Sequence, residues 1–159
     1  MEDEQFQHTI TKANIDDLHL HGPNTLGVGY ADSRSASNIY AAMCDVVRPA
    51  SQPISILDVG CGLGDLYPFI QRTIDVPVQY LGVDLGQEYV DHARSRFPDG
   101  TFQRADVLDS SSDLGQFDYI VACGLFNWRG DISIEDMSSY WKEMVLTLLG
   151  CVVRALPSI

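Results

Sequence analysis

The chain has 159 residues, with 22 acidic side chains against 10 basic ones and a net charge of −12. That length suits one domain with its own core, and the charge repels a phosphate backbone over most of the surface, which argues against nucleic acid as a partner. Its four cysteines, Cys44, Cys61, Cys123 and Cys151, have neither C-x-x-C spacing nor histidines at ligand distance, so neither a disulfide framework nor a metal site is expected.

Residues 1–32 open acidic and polar. Gly22, Pro23, Gly27 and Gly29 crowd together, which reads as a loop rather than a long helix. His19 and His21 would share one side of an extended segment but have no third ligand in view. Gly27-Val-Gly-Tyr30 is either a surface turn or a flap over a ligand's entrance. From Ser35 to Val47 apolar residues recur at helical spacing until Pro49, so residues 1–50 are expected to form a loop-and-helix cap on a core spanning 51–159.

That core is organised around Ile54-Ser-Ile-Leu-Asp-Val-Gly-Cys-Gly-Leu-Gly64. An apolar run stops at three glycines spaced one residue apart, and a helix-compatible segment, Leu66–Thr73, follows. This is a strand, a tight turn and a helix start, the usual device for bringing a ligand close to backbone. The dinucleotide fingerprint G-x-G-x-x-G needs its third glycine where Asp65 stands, which weakens an oxidoreductase reading. Val78–Asp84 reads as a second strand. Its terminal acid, twenty positions beyond Gly64, is placed to accept hydrogen bonds from ribose hydroxyls. Replacing Asp84 is therefore expected to weaken ligand binding with little change in folding. Gln87–Phe97 reads as a helix, Thr101–Asp106 as a third strand and Phe117–Cys123 as a fourth. Gly124–Gly130 is a loop at the fourth strand's carboxyl end. Ser133, with Asp136 three residues on, opens a last helix carrying Ile134, Met137, Trp141, Met144, Val145 and Leu148 as a core stripe.

Strands separated by helices predict an α/β fold: a single-domain, Rossmann-like parallel sheet of four or five strands, with right-handed crossovers and helices on both faces. The glycine turn, Asp84, Asp106 and residues 123–128 then meet at the carboxyl rim of the sheet.

Four ordered segments resemble the motifs of class I S-adenosylmethionine-dependent methyltransferases: Asp58-Val-Gly-Cys-Gly-Leu-Gly64, Leu81-Gly-Val-Asp84, Ala105-Asp-Val107 and Phe117-Asp-Tyr-Ile-Val-Ala-Cys-Gly124. The resemblance covers about residues 54–126. It implies strand order 3-2-1-4, with a fifth strand beyond if the tail supplies one. It also implies S-adenosylmethionine as cofactor, held by Asp58, Gly60, Cys61, Gly62, Gly64, Asp84, Leu85, Asp106, Val107 and Cys123. Within that set Asp58 and the glycine turn would take the amino acid part, Asp84 the ribose, Leu85 an adenine face and Asp106 the adenine amino group. Tyr30, Phe126 and Asn127 are the candidates for the surroundings of the transferable methyl, and no general base declares itself.

Gly124-Leu-Phe-Asn127 stands where enzymes that methylate exocyclic or amide nitrogens carry Asn/Asp-Pro-Pro-aromatic. The acceptor is therefore expected to be a small molecule or a protein. The family's sheet has seven strands, whereas this chain stops at Ile159, which leaves a non-catalytic cofactor-binding module as the alternative. An uncovered fourth strand is expected to be an association site, so a homodimer through that strand or the last helix is anticipated. No stretch reaches the length of a membrane span and no leader precedes the core, so a cytoplasmic protein is expected.

Overall fold

A computed structural model describes residues 3–109, 112–125 and 132–153. β1 (Ile54–Val59), β2 (Val78–Asp84), β3 (Thr101–Arg104) and β4 (Tyr119–Val121) form one parallel sheet in the order β3-β2-β1-β4. Both the strand order and the Rossmann-like α/β architecture agree with the sequence reading. β1 is central, and its Ile54, Ile56, Leu57 and Val59 are all buried, because a parallel strand covered on both faces has no solvated side. On one face Ile54 and Ile56 pack with Tyr80, Phe102 and the helices α2 (Ser33–Asp45), α3 (Leu66–Thr73) and α4 (Gln87–Arg96). On the other, Leu57, Val59 and Val83 pack against Met144 and Leu148 of α5 (Ile134–Gly150).

The N-terminal region differs from the sequence expectation. Asp3–His21 is a 19-residue helix, α1, followed by a short 3-10 turn at Leu26–Val28. The glycine and proline that suggested a loop are the signals that end this helix. Gly22 adopts φ +77 and its N–H donates to Leu18 C=O, the left-handed helix stop that glycine permits, and Pro23 cannot continue the helix. α5 begins as its sequence implies, with Ser133 Oγ accepting the Asp136 N–H at 3.0 Å. Its buried stripe is narrower than expected: Met137, Met144 and Leu148 are inside, but Ile134 is 72% exposed and Val145 46%, since the helix touches the sheet along one line only.

β3 and β4 are shorter than their apolar runs. The outer side of β4 is partly met by the chain itself. Phe117 pairs in parallel with Val152 through N–H···O bonds of 2.8 and 2.9 Å to Cys151 and from Val153. Arg94, Arg96 and Arg104 stay exposed while donating to the backbone carbonyls of Phe102, Leu63 and Leu85. Among the described residues no helix is long and apolar enough to cross a membrane, and no group of three or more His, Cys, Asp or Glu could hold a metal ion.

Candidate functional site

The glycine turn after β1 is folded against its neighbours before any ligand is considered. Gly60 N–H and Cys61 N–H both donate to Val83 C=O, at 2.8 and 3.0 Å, and Gly64 N–H donates to Cys61 C=O. Gly62 N–H is held by Asp84 Oδ2 at 2.9 Å. The turn therefore presents carbonyls and Cα edges, and these four amides are spent within the fold. Gly64 must be glycine on two counts: its φ is +77, and a Cβ would lie 2.8 Å from the Phe102 ring. Arg96 braces the far side, donating to Leu63 C=O at 3.0 Å and to Asp65 Oδ1 at 2.6 Å.

Asp58, on the strand before the turn, is 1% exposed. Its Oδ2 accepts the Tyr80 hydroxyl at 2.6 Å, while its Oδ1 has no hydrogen-bond partner among the described residues. Burial raises its pKa to about 7, and the nearby Asp84 adds to the rise while the Tyr80 hydrogen bond opposes it. A buried carboxylate oxygen without a donor is costly unless a ligand supplies one. Asp84 sits half-buried at the end of β2, its Oδ1 accepting Gly86 N–H at 2.9 Å. Burial raises its pKa against the backbone N–H groups that lower it.

Two cavities open side by side above these carboxylates. The first, about 120 Å³, is lined by Asp58, Gly60, Cys61, Gly62, Leu63 and Cys123, by Gly27–Tyr30 and by Tyr40. The second, about 60 Å³, is lined by Asp84, Leu85, Asp106 and Val107, with Ala105, Tyr140 and Met144. Gly60, Tyr89, Leu125, Ile10 and Asn14 wall both, so the pair is one elongated cleft across the carboxyl ends of the strands. Gly64 lies behind the cleft, under Phe102.

Of the residues suggested for the methyl's surroundings, Tyr30 lies in the first cavity, with its ring edge-on to Tyr40 at 5.7 Å. Phe126 and Asn127 lie outside the described residues. Burial raises the pKa of Tyr30 and Tyr40, and the Cys123 thiol is pushed up to about 12 by burial and the proximity of Asp58. These groups stay neutral near pH 7, so none is a base in the resting site.

Sequence reasoning missed Tyr80, Tyr40, Tyr89, Asn14 and Ile10. Tyr80 stands on the strand that pairs with β1, but no local pattern ties it to Asp58, 22 residues earlier. Tyr89 reads as an ordinary core position on an amphipathic helix.

Residues 56–148 match the family model described as "Methyltransferase domain". A Mycobacterium tuberculosis protein, provisionally assigned as a methyltransferase, is 35% identical over 108 residues; the match covers 66% of this chain and 61% of that protein. An uncharacterised Rickettsia prowazekii protein is 31% identical over 86 residues, covering 50% of this chain and 34% of its own length. The chain thus spans less than two thirds of either relative. Among solved structures, the magnesium protoporphyrin IX methyltransferase of Synechocystis, crystallised with bound SAH, superposes with a TM-score of 0.61 at 14% identity, over 94% of this chain and 67% of that one.

Proposed function

The chain belongs to the methyltransferase-domain family, and from that premise we propose that its cleft binds S-adenosylmethionine and directs the methyl group to a small-molecule or protein acceptor. The observation that carries this reading is the unpartnered, buried Oδ1 of Asp58 at the wall of the first cavity. It suits the ammonium of the cofactor's amino acid part. In the second cavity the Asp84 carboxylate suits a ribose diol, and Asp106 with Leu85 and Val107 suits a purine bearing an amino donor. Gly60, Cys61 and Gly62 would line the methionine chain by their backbone. Tyr30 and Cys123 would flank the sulfonium, whose positive charge is attracted to aromatic faces.

The cofactor, when bound, supplies an electrophilic methyl, and the chain's task is to orient it and exclude water. Positioning of this kind supplies much of the acceleration in a transfer that needs no covalent help from protein. Free thiols at Cys44, Cys61, Cys123 and Cys151 fit a reducing compartment, which supports a cytoplasmic location.

Calorimetry with S-adenosylmethionine, S-adenosylhomocysteine and NAD tests the reading. The two adenosyl compounds are expected to bind and NAD is not; binding of NAD alone overturns the proposal. Cofactor binding without turnover on a broad acceptor panel would favour the non-catalytic module.

We also infer self-association. Leu146 and Leu149 are each 60% exposed on one flank of α5, beside Val145 and Val153. Because Phe117 already pairs with Val152, this flank, more than the start of β4, is what remains to be covered. Light scattering at tens of micromolar is expected to give a dimer that Leu146→Glu dissociates; a wild-type monomer refutes it.

A further inference from the structure

The cleft's outer wall comes from outside the Rossmann-like core. Ile10 and Asn14 of α1 wall both cavities, and the turn at Leu26–Val28 closes the first. α1 and this turn are packed tightly together: Gly27 passes so close to the Gly22 carbonyl that any Cβ would collide with it, and Leu18 C=O accepts the Gly22 N–H. A ligand filling the cleft would lie beneath this roof.

Apolar contacts hold the roof on the core among the described residues. Ile10 meets Ile132 and Met137, and Leu18 and Ile15 pack with Leu63 and the Tyr89 ring. His19 Nε2 lies 2.7 Å from Glu88 Oε2, but both side chains are more than half exposed, where such a pair contributes little. Tyr89 supplies a buried, directional contact. Its hydroxyl reaches Asn14 C=O at 2.6 Å and Gly27 C=O at 2.8 Å, so one buried donor is shared between helix and turn. Tyr89 itself is 5% exposed and rooted in α4, three residues beyond the Gly86 that Asp84 holds.

We propose that Tyr89 is a positioning residue that pins the N-terminal roof over the cofactor cleft, and that the roof must lift from this pin for the cofactor to enter or leave. The proposal rests on the cofactor reading above. Its signature is kinetic. If exchange requires lifting, weakening the pin makes opening more frequent both with and without ligand, so association and dissociation accelerate together. If Tyr89 merely touched the ligand, dissociation alone would change.

Stopped-flow binding of S-adenosylhomocysteine to wild type and Tyr89→Phe, with hydrogen exchange of residues 3–29, tests this. The variant keeps the ring and loses one shared hydrogen bond. Both rate constants are expected to rise on the order of fivefold, and exchange in α1 should rise by a similar factor in the unliganded variant. Faster dissociation with unchanged association, or unchanged rates and unchanged α1 exchange, overturns the pin while leaving the cofactor reading intact. No binding by the wild type overturns the cofactor reading and the gating with it, a result that the α1 exchange comparison separates from a failed pin.

Discussion

Asp58→Asn is expected to make the protein more stable than wild type at pH 8 in the absence of ligand, and a poor binder of S-adenosylhomocysteine at the same pH. The native Asp58 carboxyl has a pKa of about 7, against an ordinary value of 3.8. The folded state therefore holds this proton more tightly than the unfolded chain does. Its favourable contribution is full below about pH 4 and is lost as pH rises through 7, on the order of 4 kcal/mol in all. The amide of the variant is neutral throughout and removes that slope. Binding runs the other way, because a ligand ammonium beside Oδ1 favours the carboxylate. Affinity should strengthen from pH 5 to 7 with proton release and then level off. Unfolding in urea between pH 4 and 8, and calorimetry at pH 6 in buffers of different ionisation enthalpy, read the two effects. Identical pH slopes for wild type and variant would mean that the folded state does not hold this proton, and full affinity for S-adenosylhomocysteine in Asp58→Asn would be incompatible with a ligand ammonium on Asp58.

Asp84→Ala is expected to weaken S-adenosylhomocysteine binding on the order of 2–4 kcal/mol, through the loss of two charge-assisted hydrogen bonds to the ribose. The structure changes the second half of the sequence expectation, which was little change in folding. Oδ1 and Oδ2 each hold a backbone N–H, those of Gly86 and Gly62, so the variant should also lose about 1–3 kcal/mol of unfolding free energy. Because the Gly62 bond shapes the glycine turn, part of the affinity loss belongs to the turn. Asp84→Asn, which keeps an acceptor for one of these amides, should recover more stability than affinity. Full affinity in Asp84→Ala would remove the ribose assignment, and undiminished stability would mean that the turn does not depend on this brace.

What the sequence determined by itself is whatever depends on near neighbours. An apolar run ending in Gly60, Gly62 and Gly64 specifies a buried parallel strand and its turn, because glycine adopts the φ values of +72, +51 and +77 found there without the strain that a side chain brings. The acid ending β2 and the cap at Ser133 were legible for the same reason, since each is a local device with a fixed spacing. The sheet order β3-β2-β1-β4 was implied by the resemblance of the ordered motifs rather than by these local signals, whereas the meeting of the glycine turn, Asp84 and Asp106 at one rim followed from the alternation of strands and helices.

The tertiary structure alone decided how those residues are spent. Asp58 meets Tyr80 across 22 residues, Arg96 meets Leu63 across 33, and Tyr89 meets Asn14 across 75. No periodicity records such distances, because each pair is formed by the packing of separate elements. The same holds for α1. Gly22-Pro23 is compatible with a loop or with the end of a helix, and what settles it as a roof is the burial of Leu18 against Leu63 and Tyr89. A marginal helix takes most of its stability from such packing rather than from its own propensity, so its existence and its position over the cleft were decided together by the core beneath it.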